Sequence, residues 1–322
     1  MQESFATPGA GEVLHFHSSL VPLLTGQVTQ CVDGEECLRE GLVAAAAEKS
    51  TVVFLMKAEF AESVPFLSTL AASSASLLIV LLGDELDALV KIQQDSRGMA
   101  FFLKLPFWEV YDDASLEQAQ TETYSLWLNL PHPVVWVVDF WQLPEPLSER
   151  GAVVTDATSP GKLPRSYHFS RLVQWEMRQL EHRLAAIYTL WSGNFFWGQG
   201  GVGMLFCGGC QRLAQNVREK DLKNFRVMCL TNQYPLPEGS LMPFLSGLEI
   251  VLVIEGHAPV VEQQLYVLIA KSGISLRIRR LPANIVGRRE KEREFLHLFL
   301  ANPSALPSAQ PLDDLGAFIG LK

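Results

Sequence analysis

Apolar positions along the chain fall into two patterns. Short unbroken runs recur: Thr51–Met56 (TVVFLM), Ser76–Leu82 (SLLIVLL), Pro133–Val138 (PVVWVV), Gly203–Cys207 (GMLFC), Phe225–Leu230 (FRVMCL), Glu249–Glu255 (EIVLVIE) and Ser275–Leu281 (SLRIRRL). Runs without polar alternation are the pattern of strands buried on both faces. Helical stretches lie between them, at Glu36–Glu48, Leu116–Leu128, Gln211–Arg218 and Pro259–Ala270. Strand–helix alternation predicts parallel sheets with helices on both sides. The most apolar window, Val64–Gly83, contains Pro65 and several serines. It is read as a helix, a turn and a buried strand rather than as a membrane span.

The alternation breaks after residue 140. Leu143–Ser166 is rich in Pro, Gly and Ser and reads as a linker. A long helix follows. Val173, Met177, Leu180, Leu184, Ile187 and Trp191 form one apolar stripe, with Glu176, Arg178, Glu181 and Arg183 off it. Alternation resumes near Gly200, and no internal repeat is evident. The expected fold is α/β: two doubly wound, mainly parallel-sheet domains joined by a linker helix. Their bounds are 1–142, 143–199 for the linker and long helix, 200–301, and a tail over 302–322.

Composition narrows the function classes. A chain of 322 residues with 48% apolar and 19% charged residues has enough material for two cores. A net charge of −9 argues against a nucleic-acid partner, which needs a cationic face. The dense basic stretch Arg277–Arg293 is interrupted by prolyl and acidic residues and reads as solvated surface or, alternatively, an anion site. The first residues lack a basic segment followed by an apolar core, so a soluble, cytoplasmic protein is expected, with no membrane partner. An odd count of five cysteines favours reduced thiols. Only Cys207–Cys210 (CGGC) has metal or redox spacing, and one CxxC supplies half of a closed site. A glycine-rich strand-to-helix turn that carries two thiols explains it as well.

Several polar residues are candidates for chemistry. Glu35 and Glu36 open a helix, where the dipole alone favours anions. Arg97 in QQDSR suits an anion, an inter-subunit carboxylate or a structural ion pair. Glu255 and His257 lie at the carboxyl end of a strand, the usual ligand edge of an α/β sheet. His15 and His17 share a face if extended, but two imidazoles do not define a metal site. Trp191 and Trp197 flank SGNFF and read as core or interface.

The motifs carry a family likeness. LTNQYPLPEG (Leu230–Gly239), followed by VLVIEGHAPVVEQQL (Val251–Leu265), resembles the transketolase-C-like domain of 2-oxoacid:ferredoxin oxidoreductases, nearest the indolepyruvate-type alpha subunit. The matching positions are Tyr234–Pro237, Glu255, Pro259, Glu262 and Gln264. In the first half, Gln93–Arg97, Lys104–Ala119 and Leu130–Val138 resemble the pyrimidine-binding domain of the same subunit. Lys162–Glu181 resembles its inter-domain helix.

The resemblance implies thiamine diphosphate with magnesium, a 2-oxoacid substrate and a ferredoxin-like electron acceptor. It places Glu35 against the aminopyrimidine ring as the activating acid, and makes Asp95, Arg97 and Glu255 substrate or subunit contacts. The chain lacks Gly-Asp-Gly with a following Asn, and it lacks a four-cysteine run. The diphosphate and magnesium site, and any iron–sulfur cluster, would therefore come from a partner subunit. The likeness also implies a first domain without its usual first strand, leaving an edge for a partner to cover. Ala58 stands where that branch usually has His, and apolar Leu86–Val90 replaces a polar loop. These departures favour a second expectation, a non-catalytic scaffold that keeps the fold and subunit contacts. The beta-type subunit of a 2-oxoacid dehydrogenase shares the layout, but its motifs fit less well.

Overall fold

The computed structural model describes residues 13–18, 29–47, 49–71, 73, 75–82, 96–110, 123, 127, 132–138, 178, 181, 182, 184, 185, 188, 194–282, 285, 286 and 288–303. The expected helix over 116–128, the linker over 143–166 and the tail from 304 lie wholly or almost wholly outside these residues, as does Asp95.

The apolar runs become strands. The first sheet has seven strands in the order β10-β5-β6-β4-β3-β1-β2. These are β1 (Val13–Ser18), β2 (Thr29–Cys31), β3 (Ser50–Met56), β4 (Leu77–Leu82), β5 (Phe107–Val110), β6 (Val134–Val138) and β10 (Asn232–Tyr234). All pairs are parallel except β10 with β5. Every residue of β4 is buried, as a strand covered on both faces requires. Each such leucine or isoleucine contributes about 1.5–3 kcal/mol relative to an exposed one.

The second sheet has five strands in the order β12-β11-β8-β9-β7. They are β7 (Phe195–Gly198), β8 (Val202–Cys207), β9 (Phe225–Leu230), β11 (Ile250–Ile254) and β12 (Arg277–Arg280). Only β7 runs antiparallel. The sequence shows no repeat, yet the two sheets share a plan. β2-β1-β3-β4 and β9-β8-β11-β12 are both parallel, with the first strand in the interior and the second and third on either side of it.

Helix α1 (Gly34–Ala46) crosses from β2 to β3. Asp33 caps it by accepting from Glu36 N at 2.8 Å, and the Glu36 carboxylate accepts from Val32 N at 2.6 Å. Short helices α2 (Lys57–Glu62) and α3 (Val64–Ala71) link β3 to β4, and α4 (Ser96–Phe102) precedes β5. The window Val64–Gly83 is thus a helix followed by a buried strand, as expected. In the second half, α5 (Glu238–Leu245), α6 (Val260–Ser272) and α7 (Arg289–Ala301) cover the second sheet. The expected helix over 211–218 is instead a 3-10 helix, Gly208–Asn216, since the Cys207–Cys210 turn winds tightly from the strand end. Part of the basic stretch forms β12 and α7 rather than uniform surface: Arg279 is buried, and Glu292 of α7 holds Arg212 at 2.9 Å.

Of the expected stripe over 173–191, Leu184 is described and buried; Tyr188, outside the stripe, is buried as well. Tyr188 packs edge-on to Trp108. The Tyr234 hydroxyl donates to Glu181, so this helical stretch is tied to β10 and β5.

Candidate functional site

Open parallel sheets bind ligands outside the carboxyl ends of their strands, where neighbouring connections diverge. The shared plan puts that switch point between β1 and β3 in the first sheet and between β8 and β11 in the second. The sequence candidates divide between the two edges.

Glu35 stands just beyond the carboxyl end of β2, in the first turn of α1. Its side chain is 44% exposed and takes Arg39 Nη2 at 2.6 Å. Glu36 is the carboxylate that closes the turn; Glu35 takes no part in the cap. The turn itself stands in solvent, with Val32 77% exposed. Behind it lies Glu59 of α2, a buried carboxylate that accepts from Met56 N at 2.9 Å.

At the second switch point, residues from both sheets converge. β11 ends at Ile254, and buried Glu255 follows. Its carboxylate accepts from Val261 N at 2.8 Å and Glu262 N at 3.1 Å. These are the first free amides of α6, the place where a helix would otherwise bind an external anion. Glu255 thus fills that place from within the chain. Burial pushes its carboxyl up to about 7, against the pull of Arg280 and the two amides. Arg280 donates to His257 O at 2.6 Å and faces Glu262 at 3.7 Å. Burial raises Glu262 too, again opposed by Arg280.

Arg97 of α4 and Glu109 of β5 enter the same crevice from the first sheet. They pair at 3.5 Å, and both are buried. Gln233 Nε2 donates to Glu109 at 2.8 Å. Two glycines give the pair room. A Cβ on Gly256 would lie 1.4 Å from Arg97 Nη2, and one on Gly208 would lie 1.8 Å from Glu109 Oε2. Gly208 also has φ +51°, in the left-handed region that favours glycine. Cys207 and Cys210 are buried beside this cluster. Burial and the nearby Glu255 push the Cys207 thiol well up. Its Sγ donates back to Leu205 O at 3.9 Å.

The structure therefore brings Arg97 and Glu255 to one crevice and leaves Glu35 on another edge. Asp95 lies outside the described residues. Sequence reading missed Glu109, Gln233 and Arg280. The available signal was a glycine directly after the strand end at Cys207 and another directly after Glu255, a pattern of close approach. Among the described residues no group of three or more His, Cys, Asp or Glu is placed to hold a metal ion. None of their helices is long and apolar enough to cross a membrane.

No protein-family model matches the chain, and no curated protein does. Solved structures do. One is a 2-oxoglutarate:ferredoxin oxidoreductase from Magnetococcus marinus with 2-oxoglutarate, coenzyme A and succinyl-CoA bound: 14% identity, TM-score 0.53, covering 88% of this chain. This chain spans 62% of the length of that one. Another is a split-gene transketolase in the form of an inactive β4 tetramer, with 10% identity, TM-score 0.58, and coverage of 88% of this chain and 86% of that chain. The chain shares the α/β fold of these enzymes. That is the fold expected from its motifs.

Proposed function

We propose that the chain is the alpha-like subunit of a thiamine diphosphate-dependent 2-oxoacid:ferredoxin oxidoreductase. It would supply a pyrimidine-binding-like domain (1–142), the linker and helix (143–199) and a transketolase-C-like domain (200–301). The observation that carries this reading is Glu35: a carboxylate at the ligand edge of a parallel sheet, on a helix N-terminus, with its head in solvent. The kinship in fold with a 2-oxoglutarate:ferredoxin oxidoreductase and a transketolase supports it.

The described residues fit one half of such a site. Glu35 is accessible to a ring presented by a second chain, and Arg39 holds it in place. Thiamine diphosphate, when bound, supplies the electron sink for decarboxylation. Glu35 would hold a proton at the pyrimidine nitrogen. The diphosphate, its magnesium and any iron–sulfur cluster fall to a partner subunit, and the acceptor is ferredoxin-like. A cytoplasmic setting goes with this reading.

The test is an assembly purified with its partner and assayed for bound thiamine diphosphate and 2-oxoacid turnover. Glu35→Gln is expected to keep the assembly and cut turnover by about 10²-fold or more. Unchanged turnover in the variant would rule the role out. A stable complex that takes up no thiamine diphosphate, even with added magnesium, would favour the second reading.

That second reading is a non-catalytic scaffold. A specific observation favours it: Arg97, Glu109 and Glu255 fill the second sheet's crevice with the chain's own charges. Under either reading, Arg97 of the first half packs against Gly256 of the second, and Glu255 closes the start of α6.

A further inference from the structure

The outer strands of the two sheets differ in how they are guarded. β2 and β10 have three residues each, and all of β10 is buried. β12 carries Arg277, Arg279 and Arg280, and charge on an edge strand discourages further pairing. β7, the other outer strand of the second sheet, has none of these guards. It reads FFWG, and no Asp, Glu, Lys or Arg occurs between Arg183 and Arg212. Phe195 is 50% exposed and Phe196 40%.

β7 puts aromatic rings on both faces of the sheet. Phe195 and Trp197 share one face and stack with centroids 5.3 Å apart. Phe196 lies on the other face, its ring 6.0 Å from that of Phe244 in α5. One side of the strand pairs antiparallel with β9, from Phe195 opposite Cys229 to Gly198 opposite Arg226. Arg226 is turned to carbonyls of its own chain, Phe244 O at 2.6 Å and Ser246 O at 2.8 Å. On the other side no described strand lies beside β7, so alternate N–H and C=O groups are left without a strand to meet.

We propose that β7 is a self-association edge: two copies of this chain pair their β7 strands antiparallel across a two-fold axis and join their second sheets into one. A second copy fits what this edge offers. It brings an unpaired strand of the same length, and it brings no charge to the contact although each chain carries a net charge of −9. A two-fold also makes antiparallel pairing automatic, since residue i opposite j puts j opposite i. With the axis perpendicular to the sheet, each face stays on its own side. Opposed residues of an antiparallel pair share a face, so the axis falls on a residue and not between two. Centred on Phe196, it sets Phe196 against the partner's Phe196, and Phe195 against the partner's Trp197. The Phe195–Trp197 stack then continues across both chains, and the exposed rings leave water. Centred on Trp197, it would oppose Phe196 with glycine and leave Phe195 uncovered. The contact uses no residue of the proposed cofactor site and holds under either reading of the function.

The test is the mass of the full chain by light scattering over a dilution series, together with oxidative cross-linking. The wild-type mass is expected to reach twice the 35.8 kDa of one chain and to fall to that of one chain on dilution. Phe195→Lys guards the edge with a charge and is expected to be folded and monomeric throughout. Val32→Lys, at an exposed apolar position of the first sheet, is expected to leave the dimer intact. The five native thiols are buried, so a thiol added on β7 is the accessible one. Phe196→Cys is expected to give a chain-to-chain disulfide, and Phe195→Cys, off the axis, to give far less. A wild-type chain that is monomeric throughout would overturn the proposal; if that chain also sheds a co-purifying subunit on Phe195→Lys, the edge belongs to that subunit. A dimer that survives Phe195→Lys, or that Val32→Lys dissolves, would overturn it too. So would faster cross-linking through Phe195→Cys than through Phe196→Cys.

Discussion

The two sheets use one strand plan and treat their ligand edges in opposite ways. At the second edge the described charges are met by groups of the same chain. Glu255 occupies the α6 N-terminus, and Arg97 and Glu109 fill the space left by Gly208 and Gly256. At the first edge, among the described residues, Glu35 pairs with its helix neighbour Arg39 and keeps nearly half of its surface in water. The physical difference is solvent. A buried charge must be paired, because desolvation is costly, whereas an exposed one is nearly indifferent to its partner. A filled edge joins sheets, and an exposed edge is free to meet another molecule.

Substitutions at each edge test this contrast. The largest effect is expected from Arg97→Ala. It leaves Glu109 buried without its cation and should destabilise the chain by about 3–5 kcal/mol in urea unfolding. A loss below about 1 kcal/mol would mean the crevice is wetter than the closed packing shows.

Next is Glu255. Its folded value of about 7 exceeds its ordinary 4.5, so the folded state holds the proton more tightly. Its contribution to stability is complete below about 4.5 and is lost as pH rises through 7, on the order of 3 kcal/mol in all. Glu255→Gln should flatten that slope, read as the difference between wild-type and variant stabilities at pH 5 and pH 7.5. Parallel profiles for the two proteins would show that Glu255 does not titrate in this window.

Gly208→Ala is third. It meets both the left-handed φ and Glu109, and should cost about 1–3 kcal/mol, seen as a lower Tm. Gly247 has a positive φ but open space around it, so Gly247→Ala isolates the backbone share of that cost.

Glu35→Gln is smallest. Loss of an exposed i,i+4 pair should change stability by about 0.3–0.5 kcal/mol, however large its effect on turnover. A stability loss comparable to that of Arg97→Ala would place Glu35 in the framework and erase the contrast.

The apolar runs were legible because they were long and unbroken: β3, β4, β6, β8, β9, β11 and β12 all fall on them. The short strands escaped notice. β10 has three residues, all of them polar or hydroxylated, and it becomes a strand only because β5 offers it a partner. β5 reads FWEV, with a glutamate that looks like a surface residue and is in fact buried against the other half of the chain. The site was half legible. Motifs pointed to Glu35, Arg97 and Glu255, but nothing local linked Arg97 with Glu255 or joined Gln233 to Glu109 across 124 residues.

Local physics set the long strands and the helix starts. Apolar runs bury as strands, Asp33 and Glu36 start a helix, and glycines permit close approach and positive φ. Tertiary structure alone decided which charges are matched. That Arg97 meets Glu109 and lies against Gly256, and that Gln233 reaches Glu109, depends on distances between segments far apart in the chain. Those distances are fixed by packing two sheets together, which no window of sequence contains.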